Sequence, residues 1–123
     1  SEATSSAALK NEAASEIDAV LKNSPNNVSY WRTAIRTYFE LSTLDKIYTD
    51  EQSSFTSKTL EALDKAISLA PTDPKLYYNK ALILESVEKK GEAIKVLQKA
   101  LELKPNYLEV KQALEEATRS AQP

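Results

Sequence analysis

The chain has no cysteine, no histidine, no methionine and a single glycine among its 123 residues. Without cysteine there is neither a disulfide nor a thiolate nucleophile. Without histidine the usual zinc clusters, Ser–His pairs and HExxH helices cannot be assembled. One glycine cannot make a phosphate-cradling loop. These absences argue against an enzyme and leave no residue to assign to catalysis, a cofactor or a metal. Charge of one sign is missing too: 16 basic and 18 acidic residues are well mixed, for a net charge of -2. That balance gives no electrostatic footprint for nucleic acid or an anionic membrane surface. No apolar run approaches the roughly 20 residues that span a bilayer, so membrane insertion of this segment is not expected. The opening "SEATSSAALK" has no signal-peptide pattern and reads as the edge of a fragment or a processed product.

What is present is Ala, Leu, Lys and Glu, with 41% hydrophobic and 28% charged residues, enough for one domain with its own core. Alternating strand patterns are scarce, and the chain reads as all-α. It also repeats itself. "LDKAISLAPTDP" at 63–74 is echoed by "LQKALELKPNYL" at 97–108, a spacing of 34 residues. Leu63, Ala66, Ile67, Leu69 and Pro71 recur as Leu97, Ala100, Leu101, Leu103 and Pro105. A fainter copy, "IDAVLKNSPNN" at 17–27, sets Ile17, Val20, Leu21 and Pro25 in the same register.

Each tract ends a helix at its proline, which cannot extend the hydrogen-bond ladder. The next helix starts at once: Asp73 before Pro74 is an N-cap with proline at the first helical position, and Asn26 or Asn27 and Asn106 are placed to cap theirs. Asn27 also opens an "NVS" glycosylation triplet, but capping is its simpler role. Lys89 and Lys90 fit a final turn, with Gly91 as its left-handed terminator. The expected helices run near 4–23, 27–42 or beyond, 52–70, 74–89, 92–103 and 107–119.

A 34-residue helical hairpin closed by proline resembles the tetratricopeptide repeat. In the unit at 74–107, Tyr77 takes the first aromatic place, Ala81 the small place and Leu84 the following bulky one, while Ala93, Leu97, Ala100 and Pro105 fill the second helix. Lys80 departs from the pattern, which has leucine there, and Gly91 falls late. Trp31, Ala34, Ile35 and Tyr38, then Thr59, Leu63, Ala66 and Pro71, fit the preceding unit, with Ala13, Ile17, Val20 and Pro25 as a leading half-repeat. The resemblance implies a short right-handed solenoid forming a single domain. Its parts are a leading helix at 1–27, a repeat at 28–73, a repeat at 74–106, and a capping helix with tail at 107–123. The unit at 28–73 is 12 residues longer than 34, and the excess lies in "LSTLDKIYTDEQSSF". Leu41, Leu44, Ile47 and Tyr48 continue a helical stripe, and Thr49 to Gln52 has capping-box spacing, so longer helices or an extra turn are expected there. In the last segment Val110, Ala113, Leu114 and Ala117 share a face opposite Lys111, Glu115, Glu116 and Arg119, as in a helix that closes a repeat stack.

The resemblance further implies a non-catalytic module that holds a peptide or partner segment in a concave groove lined by the first helix of each hairpin. By register the groove set is Arg32, Arg36, Phe39, Lys75, Tyr78, Asn79 and Leu82, flanked by Ser29, Glu40 and Glu85. Arg32, Arg36, Lys75 and Asn79 would make a basic cluster partly similar to a carboxylate clamp, suited to an acidic peptide. The bland alternative pairs Arg36 with Glu40 on the helix surface and lays the Arg32 stem on Tyr30. Adjacent carboxylates such as Asp50 with Glu51 and Glu115 with Glu116 point apart on a helix and read as solvated. Two other roles stand beside the groove. "YWRTAIRTYFELS" followed by "LAPTDPKLYYNKALIL" is similar to C-terminal repeat segments of bacterial membrane proteins of the O-antigen ligase type, which would make the chain an appendage outside the cytoplasm; a free-standing module would be cytoplasmic. Leu9, Ile17 and Val20 on an incompletely covered N-terminal face would favour homo-oligomers.

Overall fold

A computed structural model describes residues 2–49 and 53–121, and these form six helices. They are α1 (Glu2–Asn23), α2 (Val28–Thr49), α3 (Ser54–Leu69), α4 (Pro74–Ser86), α5 (Lys90–Leu103) and α6 (Leu108–Ala121). The all-helical expectation holds, and no described helix is long and apolar enough to cross a membrane. The chain divides into two compact units, Ser1–Leu69 and Ala70–Pro123.

In the first unit α2 packs along α3, and α1 lies against α2. Ala34, Tyr38 and Leu41 of α2 meet Phe55 and Ala62 of α3 and Ala14 and Leu21 of α1 in one core, with Ile17, Trp31 and Ile35 packed at its edge. Within the tract of additional residues α2 continues to Thr49, giving it 22 residues. Asp45, on that extension, accepts from Lys10 of α1 and from the hydroxyl of Ser53. Ser53 also accepts from the Phe55 N–H at 3.0 Å and so caps α3, a buried hydroxyl with both its roles filled. The capping-box spacing from Thr49 to Gln52 and the Asp50–Glu51 pair lie outside the described residues.

In the second unit α4 packs along α5, and α5 carries α6. Ala81, Ala93, Leu97 and Ala100 are wholly buried, so the small residues allow the close helix approach that the repeat pattern requires. Val110 and Ala117 bury the inner stripe of α6, while Ala113 and Leu114 stay half-buried beside it. In α3 Thr59 stands where α5 has Ala93; it is just as buried, and its hydroxyl is satisfied by the Phe55 carbonyl at 2.7 Å.

The helix ends follow the local chemistry with two corrections. Asp73 caps α4 through the Lys75 N–H at 3.1 Å, with Pro74 first in the helix. Asn27 caps α2 through the Ser29 N–H at 3.0 Å, which gives this side chain a structural role inside the glycosylation triplet. At α6, however, the first-turn bond from Lys111 N–H reaches the Tyr107 carbonyl at 3.0 Å, so Tyr107, not Asn106, occupies the capping position. Gly91 does not terminate α4 either. The left-handed residue is Glu88, at φ 62°, and Gly91 lies in the first turn of α5 with a negative φ. Lys89 N–H bonds the Leu84 carbonyl at 2.9 Å and Glu88 N–H the Glu85 carbonyl at 3.1 Å, the paired bonds of a Schellman turn. The turn closes one residue after Val87, which is too early for Gly91 to reach it.

Candidate functional site

The helix starts are held by a repeated device. Trp31 Nε1–H donates to the Pro25 carbonyl at 2.7 Å, and Tyr77 O–H donates to the Pro71 carbonyl at 2.8 Å. Both bonds link a closing proline to the aromatic six residues on. This geometry orients α2 and α4, the helices that carry the expected groove residues.

On α2, Arg32, Arg36 and Phe39 are exposed along one face, and Ile47 continues that face at the C-terminal end. Trp31, Ile35 and Tyr38 turn inward, as expected. Arg36 and Glu40 form no ion pair among the described residues, so the surface-pairing alternative is not how this helix disposes of its charge. Arg32 and Arg36 belong to the first unit and Lys75 and Asn79 to the second.

On α4, Tyr78 and Leu82 line a cleft of about 370 Å³ whose other wall is α6, represented by Glu109, Gln112 and Glu116. Glu85 adds a third carboxylate from α4. Lys90 stands at one end, donating to Ser120 Oγ at 2.8 Å. Tyr78 packs its ring 5.5 Å from that of Tyr107, at a tilt of 57°. Lys104 sits over the Tyr107 ring at 4.7 Å. Burial raises the Tyr107 phenol above its ordinary pKa, and the charge of Glu109 adds to the effect. Lys75 is exposed, Asn79 is half-buried, and neither lines this cleft. The α6 wall was hidden by reading that helix as a cap alone, although Glu109, Gln112 and Glu116 recur at the three- and four-residue steps of one helix face.

A second cleft, of about 360 Å³, opens in the first unit among Asp18, Leu21, Trp31, Tyr38, Lys58 and Glu61. Tyr38 O–H and Lys58 Nζ, the latter at 3.0 Å, both donate to Asp18, and the Lys58 ammonium lies 5.4 Å from the Tyr38 ring centre. Burial alone would raise the Asp18 carboxyl, but these two hydrogen bonds and the Lys58 charge hold it below the usual carboxylate range. Tyr38 is pushed up by burial and by the same carboxylate. The three partners come from α1, α2 and α3, so this group ties the helices together.

Residues 74–107 match the family model of the tetratricopeptide repeat. Among solved structures the chain is similar to "MamA RS-1 ArsTM double mutant", with a TM-score of 0.71 at 22% identity over 90% of this chain and 56% of that one. It is also similar to "MamA MSR-1 C2", with a TM-score of 0.68 at 16% identity over 91% of this chain and 57% of that one. The chain thus spans little more than half the length of those structures, and at such identities the likeness is one of fold. No curated protein matches it by sequence.

Proposed function

We propose that this chain, which carries a tetratricopeptide repeat at 74–107 within a fold of all-helical hairpins, is a non-catalytic protein-interaction module. The observation that carries the reading is the α4–α6 cleft. In a fold whose inward positions are all occupied by packing, it leaves Leu82 42% exposed beside the half-buried Tyr78. The second candidate surface is the outward face of α2, where Arg32 and Arg36 stand next to Phe39, itself 48% exposed. A guanidinium pair beside an exposed ring suits a carboxylate-bearing peptide segment.

The test is selection of displayed peptides on the intact chain, followed by binding measurements on two variants, Arg32→Ala with Arg36→Ala and Tyr78→Ala with Leu82→Ser. Each pair is expected to weaken a different subset of the selected peptides while the helical circular dichroism stays intact. Peptides that bind both variants as well as the parent chain would remove both surfaces from the reading. Self-association is a second reading, favoured by Leu9 at 67% and Val20 at 40% exposure on α1. It predicts a mass that rises with concentration in sedimentation, and a Leu9→Ser, Val20→Ser chain that stays monomeric.

A further inference from the structure

We infer that the α4–α6 cleft takes a cationic segment of a partner protein, an extended stretch with lysine or arginine flanking an apolar side chain. The inference rests on the interaction-module reading and specifies the chemistry of the partner at one surface. Charge comes first. Glu85, Glu109 and Glu116 line the cleft and form no ion pair among the described residues, whereas its one ammonium, Lys90, is turned to Ser120 at the end of α6. A concave wall carrying an excess of one sign concentrates the field and favours the opposite charge.

The distribution of the carboxylates selects among cations. Among the described residues no group of three or more acidic side chains is placed to hold a metal ion. Glu85 on α4 and Glu109 and Glu116, two turns apart on α6, are therefore spread along the walls, which suits charges spaced along a chain. Between them Leu82 is exposed, and Ala113 and Ala117 leave the opposite wall shallow, within a volume of about 370 Å³ that accommodates an apolar side chain. The half-buried Tyr78 brings an aromatic ring to the same wall, a further favourable neighbour for an ammonium or guanidinium. An acidic segment would meet three carboxylates against one ammonium, so the wall discriminates as well as attracts.

The experiment titrates the intact chain with two short fluorescein-labelled peptides of equal length, one of Lys-Leu-Ala-Arg repeats and one of Glu-Leu-Ala-Asp repeats. The basic peptide is expected to bind, to weaken about tenfold with Glu109→Gln and Glu116→Gln together, and to weaken again with Leu82→Ser. Raising salt from about 50 to about 500 mM should also weaken it, because the rim charges are solvent-accessible. Tighter binding of the acidic peptide, lost on Tyr78→Ala, would overturn the cationic assignment and leave the module reading standing. Binding of the basic peptide indifferent to all three substitutions would also overturn it. If neither peptide binds, and displayed-peptide selection on the same chain yields nothing, both readings fall together.

Discussion

Among the described residues Glu88 is the one non-glycine with a left-handed backbone. At φ 62° it sits in the left-handed region, where an L residue crowds its Cβ against the following carbonyl at a cost of about 1–2 kcal/mol. Its N–H and that of Lys89 are both spent on closing α4, so the conformation is fixed by the turn. Glu88→Gly removes the crowding but gives the unfolded chain more freedom to lose, about 0.5–1 kcal/mol, which leaves a net gain of about 0.5–1 kcal/mol. Gly91 is the mirror case. It is helical, a Cβ built there meets nothing within 4 Å, and Gly91→Ala should gain about 0.5–1 kcal/mol. Glu88→Gly and Gly91→Ala together therefore stabilise by about 1–2 kcal/mol, an upward shift of several degrees in the thermal midpoint of the unit that holds them, read by calorimetry or circular dichroism. Glu88→Ala is the control, since it removes the charge and keeps the Cβ. A Glu88→Ala chain as stable as Glu88→Gly would show that repulsion between Glu88 and the C-terminal carbonyls of α4 is responsible, and would refute the conformational argument. A fall in stability with Gly91→Ala would refute the placement of Gly91 inside the helix.

Other substitutions probe the remaining local devices. Tyr77→Phe keeps the ring and deletes the hydroxyl bond to Pro71, so it should cost about 0.5–1.5 kcal/mol in denaturant melts; no change would mean that the Pro71 carbonyl is equally well served by water. Ser53→Ala strips the cap from α3 and one partner from Asp45, and should cost about 1 kcal/mol or more, visible as faster amide exchange at the start of α3. Asp18 and Asp45 are both held below the usual carboxylate range, Asp45 because the bonds from Lys10 and Ser53 and the Lys10 charge outweigh its burial. Folded carboxyls with lowered pKa stabilise above the unfolded value and lose that contribution as pH falls through the folded one. The first unit should therefore soften on acidification from about pH 4 downward, and Asp18→Asn should flatten the profile.

What the sequence shows of this fold is what short-range chemistry controls. Asp73 beside Pro74, Asn27 ahead of Val28 and the alternation of Ala with Leu through 93–100 each act within a turn or two of helix, and each appears where the residues point. Gly91 misled because a glycine marks a position that tolerates the left-handed conformation without requiring it, and the Schellman bonds formed at Glu88 instead. The clamps on α1 were illegible for a different reason. Asp18 meets Tyr38 from 20 residues away and Lys58 from 40, and Lys10 reaches Asp45 over 35, separations that no helical period connects. The candidate cleft falls between these cases: Tyr78 and Leu82 could be placed by register, whereas the wall opposite them depended on how α6 docks through Val110 and Ala117.

The near-neutral charge of the chain, -2 overall, also has a structural explanation. Helical hairpins sort residues by face, so a balanced composition does not give a balanced surface. Arg32 and Arg36 lie on the outward face of α2 in one unit, while Glu85, Glu109 and Glu116 line a cleft in the other. A docking segment samples charge over a Debye length of about 8–10 Å, so it meets these local sets, two arginines with Glu40 on α2 and three carboxylates with Lys90 in the cleft, rather than the net charge. A mixed composition of this kind points to no extended positive surface, the feature that nucleic-acid recognition needs. It is silent on peptide recognition, which is decided by three or four side chains on a single helix face.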